Sequence, residues 1–400
     1  MVRFAHVSDI HIGGVTEKTL RRREEEAVNF FVQKCLQESV EFIVISGDLF
    51  DTNLPPMSEA IMATKNLRVL RDSGIRIYAV YGSHDYAPTH ESLIELLAAD
   101  GLIHVINGGI EDKSGVWLNG VHGLAGAKET SFYKQAENLV SPRRGNSVFA
   151  FHTGIYETNM IPKEQSIVLS SLPLGYAYYA GGHLHRKIEM RTAEGAPVNY
   201  PGPLFLGYGA ADLENYLKGE ETGFYIVDLD GDEVHYNYVP VRTINGEFLE
   251  VSADNKTDSD VSNEIRTKLS DTVKNLAPGS LVLLKVSGKL ASGTRASVAV
   301  NVEKLRKQFR EHEIKLNDRQ LSEPDDVEIE SGQQFEDRAL EKIADAFPVR
   351  VDSTFVSRLI DVLSEERQEG MTVIDYRKKL LDNGLATLRA VLGEKLGVQN

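Results

Sequence analysis

The sequence predicts an α/β fold, in which a largely parallel sheet is built from strands that alternate with helices. Short β-rich apolar runs alternate with segments of helical periodicity through the first half of the chain. Polar residues typical of a metal site come where several of those runs end. The chain has 400 residues, too many for one core, so we expect two or three domains.

The first predicted domain covers residues 1–245 and contains most of this alternation. Its predicted strands are residues 2–7, 42–46, 75–80, 147–151 and 176–180. Its predicted helices are the segment that carries Leu20, Ala27, Phe31 and Cys35, and residues 57–70 and 91–99. Short strands with Gly and Pro turns follow between residues 197 and 239. They predict that the alternation ends in a second, more antiparallel sheet.

The character of the chain changes after residue 245. Residues 246–325 are expected to form a small α+β capping domain, with helices near residues 265–276 and 301–312 and a strand at residues 281–286. Residues 326–400 have the composition of an acidic linker followed by amphipathic helices. The apolar stripes of those helices predict docking onto a partner or packing back onto the capping domain, and the pattern favours neither.

Composition and charge exclude a disulfide-stabilised chain and a chain that binds DNA through a broad basic surface of its own. The net charge of −15 leaves no broad basic surface, so a chain of this kind that handles DNA needs metal ions, local basic loops or a partner. The block RRREEE at residues 21–26 is expected to be a solvated helix face with i,i+3 and i,i+4 ion pairs. The single cysteine, Cys35, excludes an intrachain disulfide framework. The sequence enters a strand directly after Met1 and has no long apolar run, so we expect a cytoplasmic protein.

Five clusters of polar residues carry the chemistry, and most of them follow a predicted strand. Because the carboxyl ends of parallel strands meet at one edge of a sheet, we expect these side chains to converge. The clusters are Asp9 with His11, then Asp48, then Ser83 with His84 and Asp85, then His152, and finally His183 with His185.

Carboxylates and imidazoles gathered without thiolates predict a site for divalent metals such as Mn, Fe or Zn. Two such ions can clamp the attacking and leaving oxygens of a phosphoryl displacement, and one carboxylate must bridge them. Asp48 is the expected bridge. The two expected ligand sets are Asp9 and His11 with one histidine of the GGHLH stretch, and Ser83 and His152 with the other.

His84 and Asp85 are the predicted catalytic pair. A hydrogen bond from the His84 ring to the adjacent carboxylate would hold its tautomer and raise its pKa. The protonated imidazole is then able to donate to the leaving alkoxide. His6 lies inside the first strand and is expected to be a satisfied core histidine. The histidines outside the clusters are likewise expected to be structural.

In this order the motifs resemble those of the calcineurin-like metallophosphoesterase superfamily, whose pattern is DxH, GD, GNH with Asp or Glu, a single His, and GHxH. The corresponding residues here are Asp9-Ile-His11, Gly47-Asp48, Gly82-Ser83-His84-Asp85, His152 and Gly182-His183-Leu184-His185. The resemblance covers roughly the first 240 residues. It implies a four-layer sandwich of two β-sheets flanked by helices, with two metal ions.

Further stretches are similar to the SbcD-type nuclease subunit of double-strand-break repair. They are GDLFD at residues 47–51, NYPGPLF at residues 199–205, and the residues beyond 245. This resemblance implies a manganese-dependent DNA exonuclease and endonuclease. It also implies a homodimer, a capping domain that contacts DNA, and C-terminal helices that bind an SMC-like (SbcC-type) ATPase.

Two positions depart from the family pattern. Ser83 stands where the family has Asn, which predicts a weaker second metal site. Asp51 stands where some repair nucleases have His. We expect Asp51 and Arg186 to contact the substrate. Two other functions use the same motifs, namely a phosphodiesterase or phosphatase for small nucleotides and a weakly active scaffold for the ATPase. The absence of an Arg-Gly pair after Asp51 disfavours a protein serine/threonine phosphatase.

Overall fold

A computed structural model describes residues 1–15, 17–85, 92–124, 126–133, 145–206, 209–231 and 233–324, together with Lys379 and Asn383. The chain forms two compact units, Met1–Pro324 and Asp325–Asn400. In the second unit the two described residues are both helical. The linker and C-terminal helices predicted for residues 326–400 otherwise lie outside the described residues.

The described strands and helices follow one another largely as the alternation predicts. The strands are β1 Val2–Val7, β2 Phe42–Ser46, β3 Arg76–Val80, β4 His104–Val105, β5 Ile110–Glu111, β6 Trp117–Val121, β7 Ser147–His152, β8 Gly154–Ile155, β9 Ser166–Ile167, β10 Tyr178–Gly182, β11 Ile188–Arg191, β12 Pro197–Tyr200, β13 Gly223–Asp230, β14 Glu233–Pro240, β15 Gly246–Ser252, β16 Leu281–Lys289 and β17 Glu313–Ser322. The helices are α1 Lys18–Gln37, α2 Met57–Asp72, α3 Leu93–Ala99, α4 Thr130–Tyr133, α5 Ala210–Leu217, α6 Asp258–Val273 and α7 Arg295–Gln308.

Two six-stranded sheets form the centre of the molecule. The first has the strand order β14-β13-β1-β2-β3-β4, and the second has the order β11-β12-β10-β7-β6-β5. Their facing sides share one buried cluster, in which the Phe4 ring stacks on Phe42 at 4.9 Å and meets Tyr178 of the second sheet edge-on at 5.5 Å. The other face of the first sheet packs on α1 and α2 through residues such as Phe31 and Leu67. This confirms the predicted α/β architecture of two sheets flanked by helices.

The prediction that the second sheet is the more antiparallel one is wrong. Its four central strands, β12, β10, β7 and β6, run parallel, and only the edge strands β11 and β5 are antiparallel. The hairpin of β13 and β14 joins the first sheet instead, where β13 pairs antiparallel with β1. Strands such as β7 and β10 are buried on both faces, which is typical of parallel strands inside a layered fold.

The residues after 245 form a three-stranded parallel sheet, β15-β16-β17, whose strands are connected through α6 and α7. A capping box between Thr257 and Asp260 starts α6 seven residues before the beginning of the helix predicted near residues 265–276. These elements bury a cluster of their own, which includes Val251, Ile265 and Leu284. They belong to the same compact unit as the two large sheets, and the division at residue 245 remains a prediction.

None of the helices that the structure describes is both long and apolar enough to cross a membrane.

Candidate metal centre

The predicted clusters meet at one edge of the molecule because five strands from both sheets end there. β1, β2 and β3 of the first sheet lead to Asp9, Asp48 and Ser83. In the second sheet His152 is itself the last residue of β7, and His183 directly follows β10. β1, β2 and β3 run parallel, as do β7 and β10, so their carboxyl ends lie side by side. The structure therefore brings the predicted residues together, as the strand order leads us to expect.

Four residues of the site have a backbone conformation that is uncommon for residues other than glycine. The φ angles are 51° at Asp9, 48° at His11, 51° at Asp48 and 92° at His183. Backbone hydrogen bonds hold the first loops in place, since the Asp9 N–H donates to the Gly47 carbonyl at 3.1 Å and the His11 N–H to the Asp48 carbonyl at 3.0 Å. Strained residues of this kind concentrate at functional sites, where the surrounding structure fixes them.

Glycine is required beside the central carboxylate. A Cβ on Gly82 would overlap the Asp48 carboxylate, and one on Gly47 would overlap the His152 ring. Gly47 also has a φ of 88°, in the region that favours glycine. The Gly residues of the GD and GSHD stretches therefore let three loops approach the same point.

Asp9, His11 and His185 form one group of potential metal ligands. Their donor atoms lie within 4.8 Å of one another. Nε2 of His11 is 3.0 Å from Nε2 of His185, and the latter is 3.9 Å from Oδ1 of Asp9. The Asp9 carboxylate is oriented by the Ser8 hydroxyl at 2.5 Å and by the His183 backbone N–H at 3.0 Å. This group matches the first ligand set predicted from the motifs.

Asp9, Asp48 and His152 form a second group. Nδ1 of His152 donates to the Ser46 carbonyl at 2.8 Å, so Nε2 is the atom presented to the site. Nε2 lies 3.1 Å from Oδ2 of Asp48 but has no hydrogen-bond partner among the described residues. A buried nitrogen and a carboxylate oxygen aimed at a common point fit a divalent cation.

Asp48, the carboxylate expected to bridge the two ions, is shared between two groups of potential ligands, as is Asp9. Asp48 belongs to the second group and to a third, with His11 and His84. Its Oδ1 accepts the His84 backbone N–H at 2.8 Å, and its Oδ2 lies 3.7 Å from Nε2 of His11. Burial raises the pKa of Asp48, but the charge of His152 outweighs burial and holds that pKa well below its usual range. Without a bound cation, the same pairing offsets the effect of burial on His152 and raises its pKa to about 10. A divalent cation at this point would take the place of the proton on Nε2.

The two histidines of the GGHLH stretch lie beside different residues of the site. The His183 ring lies 5.1 Å from the ring of His152, and the His185 ring lies 4.9 Å from that of His11. Burial, with His152 nearby, lowers the pKa of His183 to about 4, so the ring is neutral at pH 7 and able to act as a ligand. His185 thus lies beside His11, and His183 lies beside His152.

Ser83 lies at the edge of the second group. Its Oγ is 3.5 Å from Oδ2 of Asp48, at the outer limit of a hydrogen bond. The side chain is partly exposed. The Ser83 hydroxyl would be a weak, neutral metal ligand on a short side chain, beside the stronger potential ligands Asp48 and His152.

The prediction that His84 forms a hydrogen bond with Asp85 is wrong. Nδ1 of His84 contacts the Asp51 carbonyl at 2.7 Å. The buried Asp85 carboxylate instead accepts three backbone N–H groups, from Leu49 at 3.2 Å, Phe50 at 3.0 Å and Gly82 at 3.1 Å. Asp85 is therefore a positioning residue that ties the loop after β2 to the loop after β3. Burial, followed by the charge of Asp48, raises its pKa to about 6.

The two predicted substrate contacts lie in different surroundings. Oδ1 of Asp51 is 3.6 Å from Nδ1 of His11, and the side chain is 37% exposed beside the donor groups. Arg186 follows His185 but makes a bidentate ion pair with Glu220 on the surface.

One charged residue near the site differs from the sequence expectation. Glu24 of the RRREEE block is only 1% exposed, whereas Glu26 forms the expected ion pairs with Arg22 and Arg23. Neither carboxyl oxygen of Glu24 has a hydrogen-bond partner among the described residues. Burial raises its pKa to about 8. The spacing of Glu24 with Leu20, Ala27 and Phe31 on α1 is the signal that identifies the buried face. His6, by contrast, is the satisfied core histidine that was expected, between Tyr178 and Ser46.

Comparison with known proteins relates this chain to a family of phosphoesterases. The family model of calcineurin-like phosphoesterases matches residues 2–187. Three archaeal proteins named DNA double-strand break repair protein Mre11 are among the similar curated sequences. That of Sulfolobus acidocaldarius is 28% identical over 68% of this chain and 72% of its own length. That of Thermoplasma acidophilum is 28% identical over 72% and 78%, and that of Archaeoglobus fulgidus is 26% identical over 84% and 78%.

Proposed function

Because residues 2–187 form a calcineurin-like phosphoesterase domain, we propose that this chain is a metal-dependent DNA nuclease that acts in double-strand-break repair. It would hydrolyse phosphodiester bonds as an exonuclease and endonuclease. The observation that carries the proposal is the meeting of two ligand groups, Asp9–His11–His185 and Asp9–Asp48–His152, at one sheet edge. The printed names of the similar archaeal proteins support DNA as the substrate.

The chain would hold two divalent ions, proposed to be Mn²⁺, through carboxylate and imidazole ligands. When bound, the ions would stabilise negative charge on the phosphoryl group and lower the pKa of the attacking water. Asp9 and Asp48 are both buried, and a cation held between them would offset their mutual repulsion. His183 completes the second set, together with His152 and with Ser83 as its weakest member.

His84 is suited to act as the general acid. Because a carbonyl oxygen only accepts hydrogen bonds, the contact with Asp51 assigns one proton to Nδ1 of His84. Nε2 is then the atom that gains and loses a proton. The His84 ring meets the His11 ring edge-on at 4.9 Å and its side chain is 46% exposed, so it lies beside the ligands and remains open to a substrate. It would donate to the leaving oxygen of the cleaved ester.

A homodimer is part of the proposal. Leu54, Met57, Ile61 and Leu96 are apolar side chains between 47% and 74% exposed. Met57 and Ile61 share one face of α2 because they are one turn apart. An ion pair between Arg68 and Asp100, at 3.6 Å, links this helix to the C-terminal end of α3. Exposed apolar side chains on two neighbouring helices support self-association.

The remaining assignments follow from the resemblance to SbcD-type nucleases. Residues 246–325 would contact DNA, and the helices in residues 326–400 would bind an SMC-like ATPase. The partner would then supply the basic surface that a chain of net charge −15 lacks. The same resemblance implies that the protein is located in the cytoplasm, in association with the nucleoid.

The experiment that tests the function compares three substrates. Purified protein is given Mn²⁺ or Mg²⁺ with labelled duplex DNA, labelled single-stranded DNA, or a chromogenic phosphodiester. Cleavage of DNA that requires the metal supports the nuclease. Hydrolysis of the small diester with no cut in DNA under any metal, even with the ATPase added, contradicts it and favours a phosphodiesterase. Loss of both activities favours the scaffold.

A further inference from the structure

An open cleft of about 480 Å³ is lined in part by Arg186, the residue that follows His185 in the sequence. Arg186 and Lys187, in the loop between β10 and β11, form one side of it. Glu220 and Glu221, in the segment between α5 and β13, face them. Because Arg186 directly follows His185, the proposed metal centre and one side of the cleft share the loop between β10 and β11.

Each cation of the first side is held by a carboxylate of the second. Nε of Arg186 donates to Oε1 of Glu220 at 2.8 Å, and Nη2 donates to Oε2 at 3.0 Å. Nζ of Lys187 lies 3.0 Å from Oε2 of Glu221 and 4.3 Å above the Tyr238 ring. The two cations are therefore positioned in advance, but their charge is neutralised inside the cleft.

The third cation of the cleft is neutralised in the same way. Nζ of Lys218 lies 2.6 Å from Oε1 of Glu214, which also contacts Lys285 at 3.2 Å. The cleft thus contains the cationic side chains of an anion-binding site, and glutamate carboxylates form ion pairs with each of them. This arrangement differs from a permanently basic groove and agrees with the acidic charge of the chain.

A phosphate is the anion that fits the position of Glu220. The planar guanidinium binds two oxygens of a phosphate with the same geometry as two oxygens of a carboxylate. The Arg186 side chain is 52% exposed, and an ion pair so open to water contributes little free energy. A phosphate held nearby by the metal centre can therefore displace the carboxylate.

We propose that this cleft binds a backbone phosphate of the DNA strand next to the phosphodiester at the metals, and that Glu220 and Glu221 are built-in competitors for Arg186 and Lys187. The inference rests on the proposed nuclease function, because a small diester carries no second phosphate. The carboxylates then favour long strands, which supply phosphates at high local concentration, over small phosphate esters.

The test measures DNA binding by fluorescence anisotropy on a labelled duplex, with the metal removed by EDTA so that no cleavage occurs. Glu220→Gln keeps the shape and removes the competing charge. We expect its Kd to fall at least threefold. The slope of log K against log salt should steepen by about 0.9 for one additional phosphate contact. Glu194→Gln, which removes the same charge at an exposed turn between β11 and β12, is the matched control and should leave the slope unchanged.

A second variant identifies the cation involved. Adding Arg186→Gln to Glu220→Gln should return the Kd and the slope to the values of the unaltered protein or weaker. If Glu220→Gln behaves like Glu194→Gln, or only lowers the melting temperature, the ion pair is purely structural and the inference is wrong. If the unaltered protein cuts DNA in that case, the nuclease function stands without it. A chain that neither binds nor cuts DNA overturns both.

Discussion

Replacing Ser83 by Asn should strengthen the second metal site. Ser83→Asn introduces an amide oxygen one bond further from the backbone, where the family pattern has an amide. The present Oγ lies 3.5 Å from Oδ2 of Asp48, so the exchange breaks no short hydrogen bond. The side chain is partly exposed, so the larger amide enters without displacing a packed neighbour.

The expected size of the effect follows from the other ligands. Asp48 and His152 already supply a buried carboxylate and a buried nitrogen, so the change adds one neutral ligand to a site that exists. Changes of a single oriented partner alter metal affinity by roughly 10- to 100-fold. Because a partly exposed amide is at the weaker end, we expect about tenfold, or ~1.4 kcal/mol of binding free energy.

Isothermal titration of the metal-free protein with Mn²⁺ measures this directly. The unaltered chain should show one tight and one weak site, and Ser83→Asn should bring the second closer to the first. Ser73→Asn is the control, because this exposed serine precedes β3, at the end of the strand remote from the site. Two equally tight sites in the unaltered protein would refute the reasoning, as would an unchanged second site in Ser83→Asn.

Three further changes test other parts of the account. His84→Ala should lower turnover of DNA and of the small diester more than tenfold with Mn²⁺ binding unchanged, and normal turnover would remove His84 as the acid. Glu24→Gln should stabilise the protein increasingly as pH rises from 4.5 to 8, by about 2–5 kcal/mol in denaturant unfolding at pH 8. The pKa of Glu24 in the folded protein, about 8, lies above its ordinary value of 4.5, so only the unfolded chain ionises freely in that window. A difference independent of pH would contradict this. Ile61→Glu should convert a dimer into a monomer by light scattering, whereas Val300→Glu, at another exposed apolar residue, should not.

The position of the candidate site could be predicted from the sequence because it depends on topology. Once strands alternate with helices, the carboxyl ends of parallel strands must meet, and the residues after β1, β2, β3 and β10 come together. The direction of each side chain could not be predicted. Asp85 is adjacent to His84 in sequence, yet its carboxylate turns away toward three backbone N–H groups.

The sequence also could not predict which distant strands pair with each other. The run of residues 223–240 alternates as an edge hairpin should, but alternation does not specify which sheet it joins, and it pairs with β1. β17 was not predicted because it contains few apolar residues, with Ile314 and Leu321 as its buried ones. Glu24 was assigned to solvent from its charged neighbours, whereas its position on the apolar face of α1 decides its burial.

The central claim is that one metal centre, organised around Asp48, cleaves DNA. The most direct measurement is the rate of Mn²⁺-dependent cleavage of a labelled duplex by the unaltered protein and by Asp48→Asn, with bound Mn²⁺ determined in the same samples. Asn keeps the size of the side chain but removes the charge and one acceptor oxygen. We expect cleavage to fall at least 100-fold together with the loss of bound Mn²⁺. Cleavage by Asp48→Asn at more than a tenth of the normal rate would contradict the account.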